Sequence, residues 1–60
     1  MYRIACDTGR GRTTYLSLTH PENKRGLPVY VPLEDKEITY FRTKQDAKQF
    51  MRRGDVLEKV

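Results

Sequence analysis

Polar and apolar positions alternate along the first part of the chain and then change period. In residues 2–6, Tyr2, Ile4 and Cys6 share one side, while Arg3 and Ala5 share the other. Residues 13–19 repeat the pattern, with Leu16 and Leu18 opposite Thr13, Tyr15 and Ser17. Period-two alternation of this kind marks half-buried strands. Between the two runs lies Thr8-Gly9-Arg10-Gly11-Arg12, whose glycines suit the positive φ of a hairpin turn. His20 to Gly26 carries turn chemistry (Pro21, Asn23, Gly26) and is expected to be a loop.

A third alternating run, "LPVYVPL", sets Leu27, Val29, Val31 and Leu33 on one face and Pro28, Tyr30 and Pro32 on the other. Its two prolines remove amide donors from one side only, which predicts an edge strand. Glu34-Asp35-Lys36 reads as a polar turn and "KEITYF" as a fourth strand. In that strand the inward pair is either Ile38 and Tyr40 or Thr39 and Phe41. The period then becomes helical. Thr43 is a cap with Asp46 three residues on, and Ala47, Phe50 and Met51 form a stripe at i, i+3, i+4. Gly54 reads as the stop, with Arg52 and Arg53 in the last turn. "VLEKV" closes the chain as a short strand or a tail.

The expected fold is therefore a single small α+β domain. A three- to five-stranded, mainly antiparallel sheet begins with an N-terminal hairpin, and one helix at about residues 43–53 packs on one face. In this arrangement Ile4, Leu16, Leu18, Val29 and Val31 lie under the helix. Arg3, Thr13, Tyr15, Ser17 and Tyr30 are left on the other side.

Charge adds an asymmetry. The 60 residues carry a formal net charge of +4. Residues 42–53 hold five bases against Asp46, an excess as large as that of the whole chain. Such a concentration favours an acidic partner. The lone Cys6 fits a reducing cytoplasm and an apolar strand position, and one cysteine with one histidine (His20) cannot close a zinc site. No apolar run approaches a membrane span, and no signal peptide is expected.

Catalytic patterns do not hold up. Asp7-Thr8-Gly9 matches the tripeptide of retroviral-type aspartic proteases, but the match covers three residues of 60. Arg10 would also set a cation beside a carboxylate pair that must share a proton. Gly9-Arg10-Gly11 lacks the third glycine and the following helix of a dinucleotide loop. Glu34, Asp35 and Glu37 lie beside Lys36 in a turn and have no recognised metal-loop spacing.

What remains is surface chemistry. Arg10, Arg12, Lys44, Lys48, Arg52 and Arg53 are the candidate phosphate contacts, with Tyr15 and Tyr30 as candidate stacking platforms. Lys44, Lys48 and Arg52 would form one row along the helix. The expectation is a small non-enzymatic binding module without cofactor or metal, acting on nucleic acid through a basic surface. The alternative is an accessory or inhibitor that docks on an acidic protein; a tiny, basic, motif-poor domain is also the sort of product phages and mobile elements encode. A homodimer would use the outer sheet face.

Overall fold

The structure, a computed structural model, describes residues 1–7, 9, 11–23 and 29–60. Among the described residues, four strands and one helix follow one another as β1 (Tyr2–Asp7), β2 (Thr13–Ser17), β3 (Val29–Val31), α1 (Lys44–Lys48) and β4 (Val56–Lys59). The sheet is antiparallel throughout, in the order β3-β2-β1-β4. The hairpin forms where glycine and alternation place it, with Ala5 opposite Tyr15 and Asp7 opposite Thr13. Gly9 and Gly11 both take positive φ, at 79° and 73°. The Gly9 amide donates to Asp7 Oδ1 at 2.9 Å, so the carboxylate of the protease-like tripeptide closes a turn. β3 is an edge strand as its prolines require; Leu27 and Pro28 of that run lie outside the described residues.

Two apolar layers sandwich the sheet. Ile4, Leu16, Phe41 and Ala47 form the layer beneath α1, with Leu18, Tyr30, Met51 and Leu57 packed against it. Ala5, Tyr15, Val31 and Ile38 form the other, with Val29 at its margin.

The second layer overturns the expected facing of β3. Register pairs Leu16 with Tyr30, Tyr15 with Val31 and Ser17 with Val29. Directly opposed residues in an antiparallel pair point to the same face. Tyr30 therefore lies under the helix, and Val29 and Val31 lie with Tyr15. Alternation had grouped the two valines correctly but assigned them to the wrong layer. Tyr15 and Ser17 are buried, at 6% and 0% exposure, so neither stands on an open sheet face.

"KEITYF" is not a ladder strand. It wedges between β1 and β2 where the hairpin strands diverge. Tyr2 and Phe41 exchange amide bonds of 2.8 and 2.7 Å, and the Thr39 amide donates to Leu16 O at 3.0 Å. The Thr39 hydroxyl accepts the Leu18 amide at 2.8 Å. Ile38 serves one layer and Phe41 the other, so neither anticipated pair faces inward together.

The helix is shorter than its apolar stripe predicts. Its start is as expected, since Thr43 Oγ1 accepts the Asp46 amide at 3.1 Å. Its regular part ends at Lys48, followed by tighter i→i−3 bonds from Phe50 to Ala47 and from Met51 to Lys48. The Arg52 amide, which a continuing helix would give to Lys48, instead donates to Asp55 Oδ2 at 2.8 Å. Gly54 has positive φ (92°), but it belongs to this Arg52–Asp55 turn and does not cap α1. Of the apolar stripe, Ala47 is buried and Met51 packs against the core, whereas Phe50 stacks on Phe41, ring centres 5.6 Å apart, and stays 43% exposed.

Candidate functional site

The first basic surface is assembled by β1, β4 and α1 together. Tyr2 stands opposite Lys59 and Ile4 opposite Leu57, so all four point to the helix side of the sheet. Ala47, fully buried, seats α1 on that side. Lys44 and Lys48 are one helical turn apart, about 6 Å along the axis. They meet Tyr2, Leu57 and Lys59 around a groove of about 390 Å³. Lys44 Nζ lies 5.9 Å from the centre of the Tyr2 ring, at the outer limit of a cation–π contact. None of these five lining residues is acidic, and three exposed lysines share the lining with half-buried Tyr2 and Leu57.

Lys44 and Lys48 are legible in the sequence as members of a helical row, whereas no local pattern marks Tyr2 or Lys59 as a site residue. Alternation puts Lys59 on the same face as Leu57. Only the pairing of β4 with β1 brings it to Tyr2 and the helix.

The remaining predicted cations lie elsewhere. Arg52 and Arg53 are exposed in the turn after the helical segment, so the Lys44–Lys48 row does not continue into Arg52. That turn lies at the far end of β1. Asp55 Oδ2, which accepts the Arg52 amide, also accepts the Tyr30 hydroxyl at 3.4 Å. Ala5 pairs with Val56, so this turn lies about four residues, or roughly 13 Å, along β1 from the Tyr2 end of the groove. Arg12 lines a different hollow of about 320 Å³ with Thr13, Pro32, Leu33 and Glu34. Arg10 lies outside the described residues.

Neither predicted aromatic platform is open. Tyr15 is covered by its own layer and by Arg3, whose guanidinium lies 4.5 Å from the ring centre. Arg3 Nε also bonds Glu58 Oε1 at 2.8 Å, which fastens β4 to β1 across their Arg3–Glu58 pair. Tyr30 is half-buried against the helix layer. Burial first, and the Asp55 carboxylate second, push its phenol above the usual value. The Cys6 thiol is raised for the same two reasons in the same order.

The Tyr30 shift predicts alkaline sensitivity. A phenol that ionises less readily when folded leaves stability intact below its unfolded value of about 10. Stability is then lost as pH rises through the folded value. The melting temperature, followed by circular dichroism, should therefore fall above about pH 10. Tyr30→Phe should make that fall shallower. An identical decline in the variant would separate Tyr30 from the effect.

Among the described residues no helix is long and apolar enough to cross a membrane, and no group of three or more His, Cys, Asp or Glu side chains is placed to hold a metal ion. His20 is engaged locally, with Nδ1 accepting the Glu22 amide at 3.1 Å and Nε2 lying 4.0 Å from Asp35. No protein-family model, curated protein or solved structure matches the chain.

Proposed function

We propose that the chain is a non-enzymatic binding module that holds nucleic acid by its phosphates in the lysine groove between α1 and β4. The observation that carries this reading is the convergence of Lys44, Lys48 and Lys59 on one groove whose lining includes no carboxylate. Like charges gathered at the surface repel one another, and an anionic ligand relieves that repulsion. Phosphate contacts of this kind work through charge and release of counterions, so they need no base-specific partner. Arg52 and Arg53, exposed farther along the same strand direction, supply secondary contacts to a ligand longer than the groove.

The reading predicts a steep dependence on salt. Three contacts to a single strand correspond to a log–log slope of about −2, or roughly a 15-fold loss of affinity between 50 and 200 mM salt. Fluorescence anisotropy with labelled oligonucleotides measures both quantities. Replacing Lys44, Lys48 and Lys59 together by glutamine should abolish most of the binding and flatten the slope. All three positions are on the surface, so the variant should keep the native circular dichroism. Absence of binding at low salt up to about 100 μM overturns the proposal, because even non-specific binders reach that range. So does an unchanged affinity in the triple variant. Binding of polyglutamate without binding of oligonucleotides would favour the acidic-protein alternative instead.

A further inference from the structure

We infer that the lysine groove is a seat for one unpaired nucleotide of a single strand, with its base laid on the Tyr2 ring. The inference rests on the nucleic-acid reading above and narrows it to a class of ligand.

A surface that grips only a phosphate backbone needs cations and nothing else. This groove is also lined by Tyr2 and Leu57, which are half-buried where the three lysines are exposed, so an aromatic and an aliphatic side chain form its deeper part. A nucleotide has the matching anatomy, an apolar π-face flanked by anionic phosphates. The groove's volume of about 390 Å³ lies near the small end of ligand sites, which span roughly 300–1,000 Å³. That room suits one nucleotide. In a duplex each base face is stacked on its neighbours and cannot reach this deeper part, whereas an unpaired base can.

The backbone beneath the ring is held from both sides. Tyr2 exchanges 2.8 and 2.7 Å bonds with Phe41 on one edge and faces Lys59 of β4 on the other. Its neighbour Arg3 is tied to Glu58 at 2.8 Å. The ring thus stands on a fixed part of the sheet, and little ordering remains to be done when a base arrives. Lys44, at 5.9 Å from the ring centre, is on a flexible stem and swings from the ring to a flanking phosphate. Lys48 and Lys59 meet phosphates from the other parts of the rim.

The test compares a labelled ten-nucleotide thymidine strand, the same strand lacking its bases, and a ten-base-pair duplex. The wild-type protein should prefer the thymidine strand to both others. Tyr2→Leu should weaken binding of that strand roughly 5- to 150-fold, the range expected for loss of one base–aromatic stack. It should leave duplex affinity and the salt slope unchanged, and Tyr2→Phe should restore the strand preference. A native circular dichroism spectrum and an unchanged urea transition show that the leucine variant is folded. The inference is overturned if Tyr2→Leu leaves strand affinity unchanged or weakens strand and duplex equally, or if the base-free strand binds as well as the thymidine strand. Displacement of the strand by an equal concentration of thymidine monophosphate would assign the groove to a free nucleotide and overturn it too. Lack of binding to all three nucleic acids defeats the underlying nucleic-acid reading, whereas equal binding to all three defeats the single-nucleotide seat alone.

Discussion

Replacing Leu16 by alanine should leave most of the chain unfolded at room temperature. Leu16 is completely buried at the middle of the helix-side layer, packed with Ile4, Phe41 and Ala47. Its backbone carbonyl also accepts the Thr39 amide that holds the wedge between β1 and β2. Removing a buried leucine side chain costs about 2–5 kcal/mol. A core of this size supplies only about 3–5 kcal/mol in total. The substitution therefore removes most or all of the net stability, and far-UV circular dichroism with urea titration should show little cooperative transition. Leu33→Ala is the matched control. Leu33 is 53% exposed, so its truncation should shift the transition only slightly. A Leu16→Ala protein that melts cooperatively near the wild-type temperature would contradict the packing described for this layer.

The second large effect concerns Tyr15. Tyr15→Ala should cost about 3–5 kcal/mol, the usual range for emptying a buried aromatic site. The ring fills the layer formed with Ala5, Val31 and Ile38 and also supports the Arg3 guanidinium. Loss of the ring would leave Arg3 with its Glu58 bond but without its platform, and the β1–β4 side of the sheet would loosen. Tyr15→Phe keeps the ring, so the variant should fold with a change no larger than the 0.5–1.5 kcal/mol typical of one hydrogen bond. Oligonucleotide affinity of the phenylalanine variant should equal that of the wild type. A Tyr15→Ala protein that folds normally yet binds oligonucleotides poorly would return Tyr15 to the surface role expected from its spacing. Urea denaturation and anisotropy measured on the same samples separate the two outcomes.

Tyr15 and Tyr30 also show where the legibility of the sequence stops. Alternation identifies residues that share a face, and it did so correctly for Val29 with Val31 and for Leu16 with Leu18. It does not say which face of one strand continues which face of the next. That depends on register, and a shift of one residue exchanges every side chain between the two layers. The chosen register puts Tyr30 opposite Leu16, so the two tyrosines end on opposite sides of the sheet. The outer face expected to remain open is occupied by Ile38 from a segment that was expected to be a strand.

The end of the helix fails for a related reason. Thr43 and Ala47 signal a beginning and a buried side through local chemistry, and both do what their positions suggest. The predicted stop at Gly54 rested on glycine and two arginines. Asp55 competes for the Arg52 amide first, and its carboxylate is in turn engaged by Tyr30 from β3. A residue beyond the apparent cap, partnered by a distant strand, breaks the row of Lys44, Lys48 and Arg52. The basic excess of residues 42–53 is thereby divided between the groove and a separate turn.

Neighbouring residues dictate the local features. These are the hairpin with its positive-φ glycines, the edge character of the proline-flanked strand, the capped start of the helix, and Lys44 and Lys48 as neighbours one turn apart. Each follows from backbone sterics or from contacts within a few residues. Tertiary structure alone decided which tyrosine is buried, where the helix gives way to a turn, and that Tyr2 and Lys59, from the two ends of the chain, stand beside those lysines. Those outcomes depend on register and on pairing between segments far apart in sequence. Their energies come from burial of the two layers as a whole, which no short stretch of residues contains.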